Sequence, residues 1–402
     1  MKDRRTIVAL IIIGIILLLM PTYFKFLYGP GPEQVPADST GAPVQTSPAG
    51  AGTEEVAERN ISESEQIVRS VLPEEPLRTG GRILTISTPL YRAALNTQGA
   101  VFEQWQLEEY FIKNGEYIWL IPENAYGPVI EVPIGDVSVT STEFEFHTDA
   151  PESIYLRAGE EIEIELSAEL GDGRRLSRRM RFSGDTYDVK ITDGFEGFDA
   201  SPMNDSYRLM WIGGLEFTEE IRKDDMQYSG FFAFQGGGIQ KTKLKKDSVE
   251  DQLFGYVDWA ALRTKYFAAI LIPLDEPFRS VRMIGAAGEV GPARMNLAVD
   301  RRIPTGVGGS IETLLYLGPI DYRIFRGYNV ELQQMMDFGW SIIRPISKLS
   351  LLIFTFLYQY IPNYGFVIVI FSVLIKILVF PLTRKFWVSM SAMQELAPKM
   401  QE

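Results

Sequence analysis

An uncharged run as long as a bilayer is thick limits what a chain can fold into, and this sequence has such a run near each end. Thr6 to Phe24 are 19 consecutive uncharged residues, and Leu349 to Ile375 carries no charge at all. At about 1.5 Å per helical residue, the first run matches a hydrocarbon core of about 30 Å. Lys2, Arg4 and Arg5 precede it, placing the amino terminus in the cytoplasm by the positive-inside rule. A cleaved signal peptide is the rival reading. The length of the run, and the absence of a small-residue cleavage site in Tyr23-Phe24-Lys25-Phe26, favour a retained transmembrane anchor over residues 1–27.

Pro362-Asn363 divides the second run. Leu349–Ile361, 13 residues, is too short to span, whereas Gly365–Leu382, 18 residues, is long enough. The expectation is an interfacial helix followed by a spanning helix over 363–383. Arg384 and Lys385 come directly after it and mark the cytoplasmic side again. Two spans with both basic ends inside put residues 26–343 across the membrane.

Charge follows the same division. Residues 1–25 carry net +3 and 344–402 net +4, so the middle carries −20 of the total −13. An acidic body argues against nucleic acid as a partner, because phosphate needs a positive face. Cysteine is absent, which removes disulfides, Cys-ligated zinc and thiol nucleophiles together. With His147 as the sole histidine, no His–His metal pair is possible. Neither a metal nor a cofactor is expected.

Residues 28–76 are rich in Gly, Pro, Ser, Thr, Ala and Glu with few large apolar side chains, the composition of a flexible tether, with a short helical patch near 63–71. Over 77–320 the pattern turns to period two, as in Arg82–Ile86, Glu143–Phe146, Glu161–Leu166 and Tyr187–Ile191. Such alternation puts one face on a core and the other in water, the mark of antiparallel sheet. Gly171-Asp172-Gly173, Ser183-Gly184-Asp185 and Gly236-Gly237-Gly238 supply turns, so one large all-β sandwich is expected. Helical spacing returns after Pro319: Tyr328, Leu332, Met335, Met336, Ile342 and Ile343 share one side. With Trp340 nearby, an amphipathic interfacial helix within 321–361 is expected, and packing on the sandwich is the alternative.

Lys376 is the residue most out of place, eleven residues into the second span with no acidic neighbour in sequence. Insertion scales put the cost of a mid-helix lysine at about 2.5–3.5 kcal/mol. Snorkelling toward Arg384, about 12 Å along the helix, competes with a cation in a water-filled cavity. Ser372 one turn before and Thr383 two turns after make a thin polar stripe with it. His147 reads as an exposed strand residue, and Gly236–Gly238 as a loop tip. Lys241, Lys243, Lys245 and Lys246 read as a solvated turn, with anionic headgroups as the minor alternative. Arg174–Arg181 reads as a cationic strand face balancing local carboxylates. Met390, Met393 and Met400 line one side of a helix starting near Phe386, suited to a partner helix or to an adaptable docking face. The sequence stops at Glu402 inside that helix, so the chain is expected to continue.

Several runs resemble the YidC-type membrane protein insertases of Gram-negative-style bacteria. They are Tyr316-Leu317-Gly318-Pro319, Asp337-Phe338-Gly339-Trp340 and Asn363-Tyr364-Gly365-Phe366. Lys376 follows, then Pro381-Leu382-Thr383, Ser389-Met390 and Pro398-Lys399, and the sandwich holds Tyr266–Pro273 as a further match. The resemblance covers the chain in order: anchor, tether, periplasmic β-supersandwich, interfacial helix and first helix of the insertase core.

The resemblance implies a non-enzymatic insertase and chaperone of the bacterial inner membrane. Nascent membrane proteins and lipid would be its partners, with the Sec translocon and the ribosome beside it. Lys376 stands where the family places a basic residue in a hydrophilic groove, and lysine lacks the planar fork of the arginine that many members carry. The helix from Phe386 would begin the cytoplasmic hairpin. The family core has five spans and only the first is present here. Its sandwich is similar to sugar epimerases, which need catalytic histidine. The alternative is a membrane-tethered β-sandwich binding a carbohydrate or a protein.

Overall fold

The computed structural model of the chain describes residues 80–396 except 136, 199–204, 245–247, 289–292, 305–308 and 337–343. The anchor with Lys2, Arg4 and Arg5, the tether with its helical patch, Trp340, Lys245, Lys246 and Met400 lie outside the described residues. The chain divides into two units, one reaching from the tether to Met336 and the other containing the helices that follow.

Period-two segments form strands wherever a turn lets them pair. The first six are β1 (Ile83–Ser87), β2 (Tyr91–Asn96), β3 (Val101–Phe111), β4 (Tyr117–Trp119), β5 (Tyr126–Ile134) and β6 (Val137–Thr140). The next six are β7 (Ser153–Tyr155), β8 (Glu161–Gly171), β9 (Arg174–Ser183), β10 (Asp188–Glu196), β11 (Ser206–Ile212) and β12 (Gly230–Gln235). Then come β13 (Gly238–Lys243), β14 (Val249–Arg263), β15 (Phe267–Pro273), β16 (Phe278–Ala286), β17 (Arg294–Arg302) and β18 (Ser310–Pro319). Described pairings are antiparallel except β1 with β7.

One sheet runs β7-β1-β2-β3-β4. The other starts β8-β9-β10-β18-β15-β14 and continues through β14 both to β12-β13 and to β16-β17-β11-β5-β6. The long strand β14 changes partner at its middle. Val249–Phe254 pairs with β16 and Val257–Arg263 with β12, the register shifting between them. Gly255, at φ 93°, makes that bend. A bulge of this kind lets one strand turn the corner of a sandwich. The core between the layers is apolar, with Trp105, Trp211, Trp259, Phe102, Phe182 and Phe278 fully buried.

Several local expectations change. Glu143–Phe146 is not a strand: Ser141–Glu143 is a 3-10 turn closed by a Thr140–Glu143 capping box, and Phe146 is buried beyond it. A helix, α1 (Arg222–Tyr228), lies inside the β region; Asp225 ties it down by accepting from the amides of Thr218 and Glu219, both at 2.7 Å.

The sandwich does not end at residue 320. After α2 (Tyr322–Gly327), Leu332–Met335 forms a 3-10 turn; Phe325, Leu332 and Met335 are buried in the sandwich core, and Met336 packs against it. Asn329 and Glu331 adopt φ of 55° and 58°, a left-handed conformation that a continuing α-helix cannot contain. Leu332 and Met336 therefore belong to the sandwich rather than to an interfacial helix.

The cationic strand β9 answers the carboxylates of β8: Arg181 meets Glu163 at 3.0 Å and Arg175 meets Glu169 at 3.6 Å. Arg178 breaks the pattern. It is fully buried, its Nε 2.7 Å from Asp193 Oδ1, and it donates to the carbonyls of Ala100 and Pro128. Gly236 and Gly237, at φ 62° and 77°, form the two-residue turn between β12 and β13, and Lys241 and Lys243 are exposed on β13. His147 is exposed, 3.6 Å from Asp149.

Candidate functional site

The second unit contains a helical hairpin, α3 (Arg344–Tyr360) and α4 (Tyr364–Leu396). In α3 the residues Ser347, Thr355 and Gln359 recur on one side while Ile346, Leu349, Ile353, Phe356 and Tyr360 fall on the other. Ile346, Leu349, Phe356 and Tyr360 are exposed. Pro362 ends the first helix and Asn363 starts the second. The Asn363 side-chain oxygen accepts from the amides of Gly365 (3.0 Å) and Phe366 (3.4 Å), covering donors that every helix start leaves open. The two helices pack through Phe354 on Phe371, with ring centroids 4.4 Å apart, and through Tyr358 stacked on Tyr364 at 4.2 Å. Val367 is fully buried there.

Lys376 lies on the face of α4 turned away from Val367 and Phe371, and it is exposed. Ser372 is one turn before it and Thr383 two turns after, within roughly 40° of one another around the axis. Ser372 is exposed as well, and the Thr383 side chain lies outside the described ones. The Ser372 hydroxyl donates to the Ile368 carbonyl at 2.8 Å, which leaves its oxygen able only to accept. Pro381 has no N–H to offer the Ile377 carbonyl, so a polar backbone group sits one residue past the lysine.

The helix expected to begin near Phe386 is instead the continuation of α4, unbroken through Pro381 to Leu396. Met390 and Met393 ride on it, as do Arg384, which is exposed, and Lys385. Among the described residues no helix is long and apolar enough to cross a membrane.

A second feature, which the sequence did not signal, is a cleft of about 830 Å³ at one end of the sandwich. Its walls include Tyr110, Phe111, Phe217, Glu219, Tyr266 and Asp321. Glu219 accepts from both Lys265 Nζ and Tyr266 Oη at 2.6 Å. Those two hydrogen bonds hold its carboxyl below the usual range and raise the Lys265 ammonium and the Tyr266 phenol. Among the described residues no group of His, Asp and Glu side chains is placed to hold a metal.

Fold and helices together define a β-sandwich domain followed by an apolar helical hairpin with Lys376 exposed on its second helix. The YidC periplasmic domain family matches residues 83–349, and the 60Kd inner membrane protein family matches 356–402. The chain belongs to the YidC family of membrane protein insertases.

Similar proteins include the membrane protein insertase YidC of Prosthecochloris aestuarii, 28% identical over 422 residues, covering all of this chain and 68% of the relative. The YidC insertase of Chlorobaculum parvum is 29% identical, covering 80% of this chain and 56% of the relative. The chain thus spans between 56% and 68% of the length of these relatives. Among solved structures, a galactose mutarotase-like protein from Lactobacillus casei is similar with a TM-score of 0.37 and 9% identity, over 58% of this chain and 99% of that one. A likeness at that level carries no statement about activity.

Proposed function

We propose that the chain is part of an inner-membrane insertase. In this reading α4 is the first helix of the insertase core and Lys376 is the cation of its hydrophilic groove. The observation that carries this is the placement of Lys376. It is the sole charge between Tyr364 and Leu382 in a family of insertases, and it is exposed on the helix face that it shares with Ser372. The 18-residue run Gly365–Leu382 supports a membrane span, and the basic residues flanking both apolar runs support a periplasmic sandwich.

A groove of this kind lowers the barrier for a substrate's polar segment to enter, because the segment exchanges water for a hydrated, charged wall instead of hydrocarbon. A lysine there attracts acidic segments as a point charge. Met390 and Met393, on the continuation of α4, offer polarizable side chains for apolar segments arriving from the cytoplasm. Nascent membrane proteins are the substrates in this reading, received alone or beside the Sec translocon and the ribosome.

The test is Lys376→Gln in the complete gene product, assayed for insertion of substrates with acidic translocated tails in insertase-depleted cells. Insertion of such substrates should fall several-fold, with neutral-tailed substrates less affected. Wild-type insertion of every acidic-tailed substrate would remove the role assigned to Lys376. The cleft beside Tyr266 favours one further reading, in which the sandwich is a tethered module that binds a carbohydrate or a protein segment.

A further inference from the structure

Exposed aromatic side chains gather at one end of the sandwich. Phe111 (53%), Tyr117 (43%), Trp119 (43%), Tyr266 (46%) and Ile221 (63%) keep large parts of their surface in solvent. The β3–β4 hairpin sets Phe111 opposite Tyr117, with ring centroids 4.9 Å apart. Trp119 lies on the same side of β4 as Tyr117, while Ile118 between them turns into the core. Tyr266, from the turn between β14 and β15, lines the cleft, and Ile221, just before α1, follows Glu220, which lines it too.

The chain leaves the domain at this end. Trp259 Nε1 donates to the Val330 carbonyl and Arg263 Nη1 to the Met335 carbonyl, both at 2.7 Å. The exit segment therefore runs along β14 toward the turn that holds Tyr266, and the Ile320 amide donates to the Tyr266 carbonyl at 2.7 Å. Seven residues, 337–343, separate Met336 from Arg344 of the apolar hairpin. The entering chain is different. It meets the domain at Gly80 beside Gln98, at the far end of β2 and β3 from Phe111.

Charges at the exit end are largely neutralised within it: Lys113 with Glu220 at 3.1 Å, Lys265 with Glu219 at 2.6 Å, Arg323 with Asp321 at 3.4 Å. Neither an acidic nor a basic partner is selected by such a surface. Tryptophan and tyrosine with paired charges are what the headgroup layer of a bilayer accommodates.

We propose that this end of the sandwich rests on the bilayer, with Phe111, Tyr117, Trp119, Tyr266 and Ile221 seated in the headgroup zone of zwitterionic lipid. Such contact requires the membrane topology proposed above.

The cysteine-free sequence makes the test direct. The whole chain, carrying a nitroxide on Glu116→Cys in the β3–β4 turn or on Glu169→Cys, is reconstituted into phosphatidylcholine vesicles. Glu169 lies at the other end of the sandwich: β9 sets it opposite Arg175, which pairs with Glu196. Near the start of β18, Ser310 pairs with Gly194. The Glu116→Cys label should meet a water-soluble nickel chelate several-fold less often than the Glu169→Cys label, and oxygen more often. Phe111→Ser/Tyr117→Ser/Trp119→Ser, with unchanged circular dichroism, should abolish the difference. Adding phosphatidylglycerol should not alter it.

Equal accessibility of the two labels in vesicles that carry the chain on flotation overturns the proposal while leaving the topology standing. Failure to float with vesicles overturns the topology and the proposal with it. Protection that depends on anionic lipid overturns the zwitterionic contact.

Discussion

The buried pair of Arg178 and Asp193 shows how much one side chain can hold in place. Arg178 satisfies Asp193 and two carbonyls, of Ala100 and Pro128, in a site sealed from water. Removing the guanidinium alone leaves a buried carboxylate without its partner, which costs about 3–5 kcal/mol. Arg178→Met should lower stability by that amount in urea unfolding, and Arg178→Met/Asp193→Leu should recover most of it. Asp188 works in the opposite sense. Burial pushes its carboxyl above the ordinary value of 3.8, against hydrogen bonds donated by Tyr328 and Thr186 that pull it down. The native state therefore keeps a proton that the unfolded chain releases, so stability falls as pH rises from 3.8 through the raised value and levels off above it. Asp188→Asn should flatten that slope when unfolding is followed from acid to neutral pH. At this scale the sequence was informative about Lys376, whose charge interrupts a run, and silent about Arg178. In the text of β9, Arg178 is one arginine among several; only the direction in which the strand faces decides which of them is buried.

Two elements have boundaries that local pattern alone would not give them. The apolar spacing of Tyr328, Leu332, Met335 and Met336 fits one face of a helix, yet the left-handed residues Asn329 and Glu331 break it and fold the apolar groups onto the sandwich. A fragment ending at residue 320 leaves the sites of Phe325, Leu332 and Met335 open to water. At the lower end of the burial value for large apolar side chains, that is a loss of about 4 kcal/mol. Residues 77–336 should therefore unfold at markedly higher urea than residues 77–320, measured by tryptophan fluorescence. The opposite error holds for α4, which runs on through Pro381 where composition suggests a boundary. Pro381 removes one hydrogen bond, and the rest of a 33-residue helix carries the backbone across it.

For the whole molecule, the proposed function gives the two units different roles. Among the described residues the sandwich core reaches from Leu84 to Met335. The hairpin holds Lys376. Removing residues 80–336 from the complete gene product separates the two functional readings: an insertase should keep most of its insertion activity, and a tethered binding module should lose all of its function. Complementation of insertase-depleted cells measures the difference.

What the sequence determined by itself was order and chemistry: apolar runs at both ends with basic flanks, an acidic alternating middle, and a lysine inside an apolar helix. These are properties of consecutive residues, because hydropathy and period are written along the chain. The tertiary structure decided which side chains meet. It buried Arg178 against Asp193, drew Leu332 and Met335 into the sandwich, and collected Phe111, Tyr117, Trp119 and Tyr266 at the end where the chain departs. Those partners lie far apart in sequence, and strand register and sheet order bring them together.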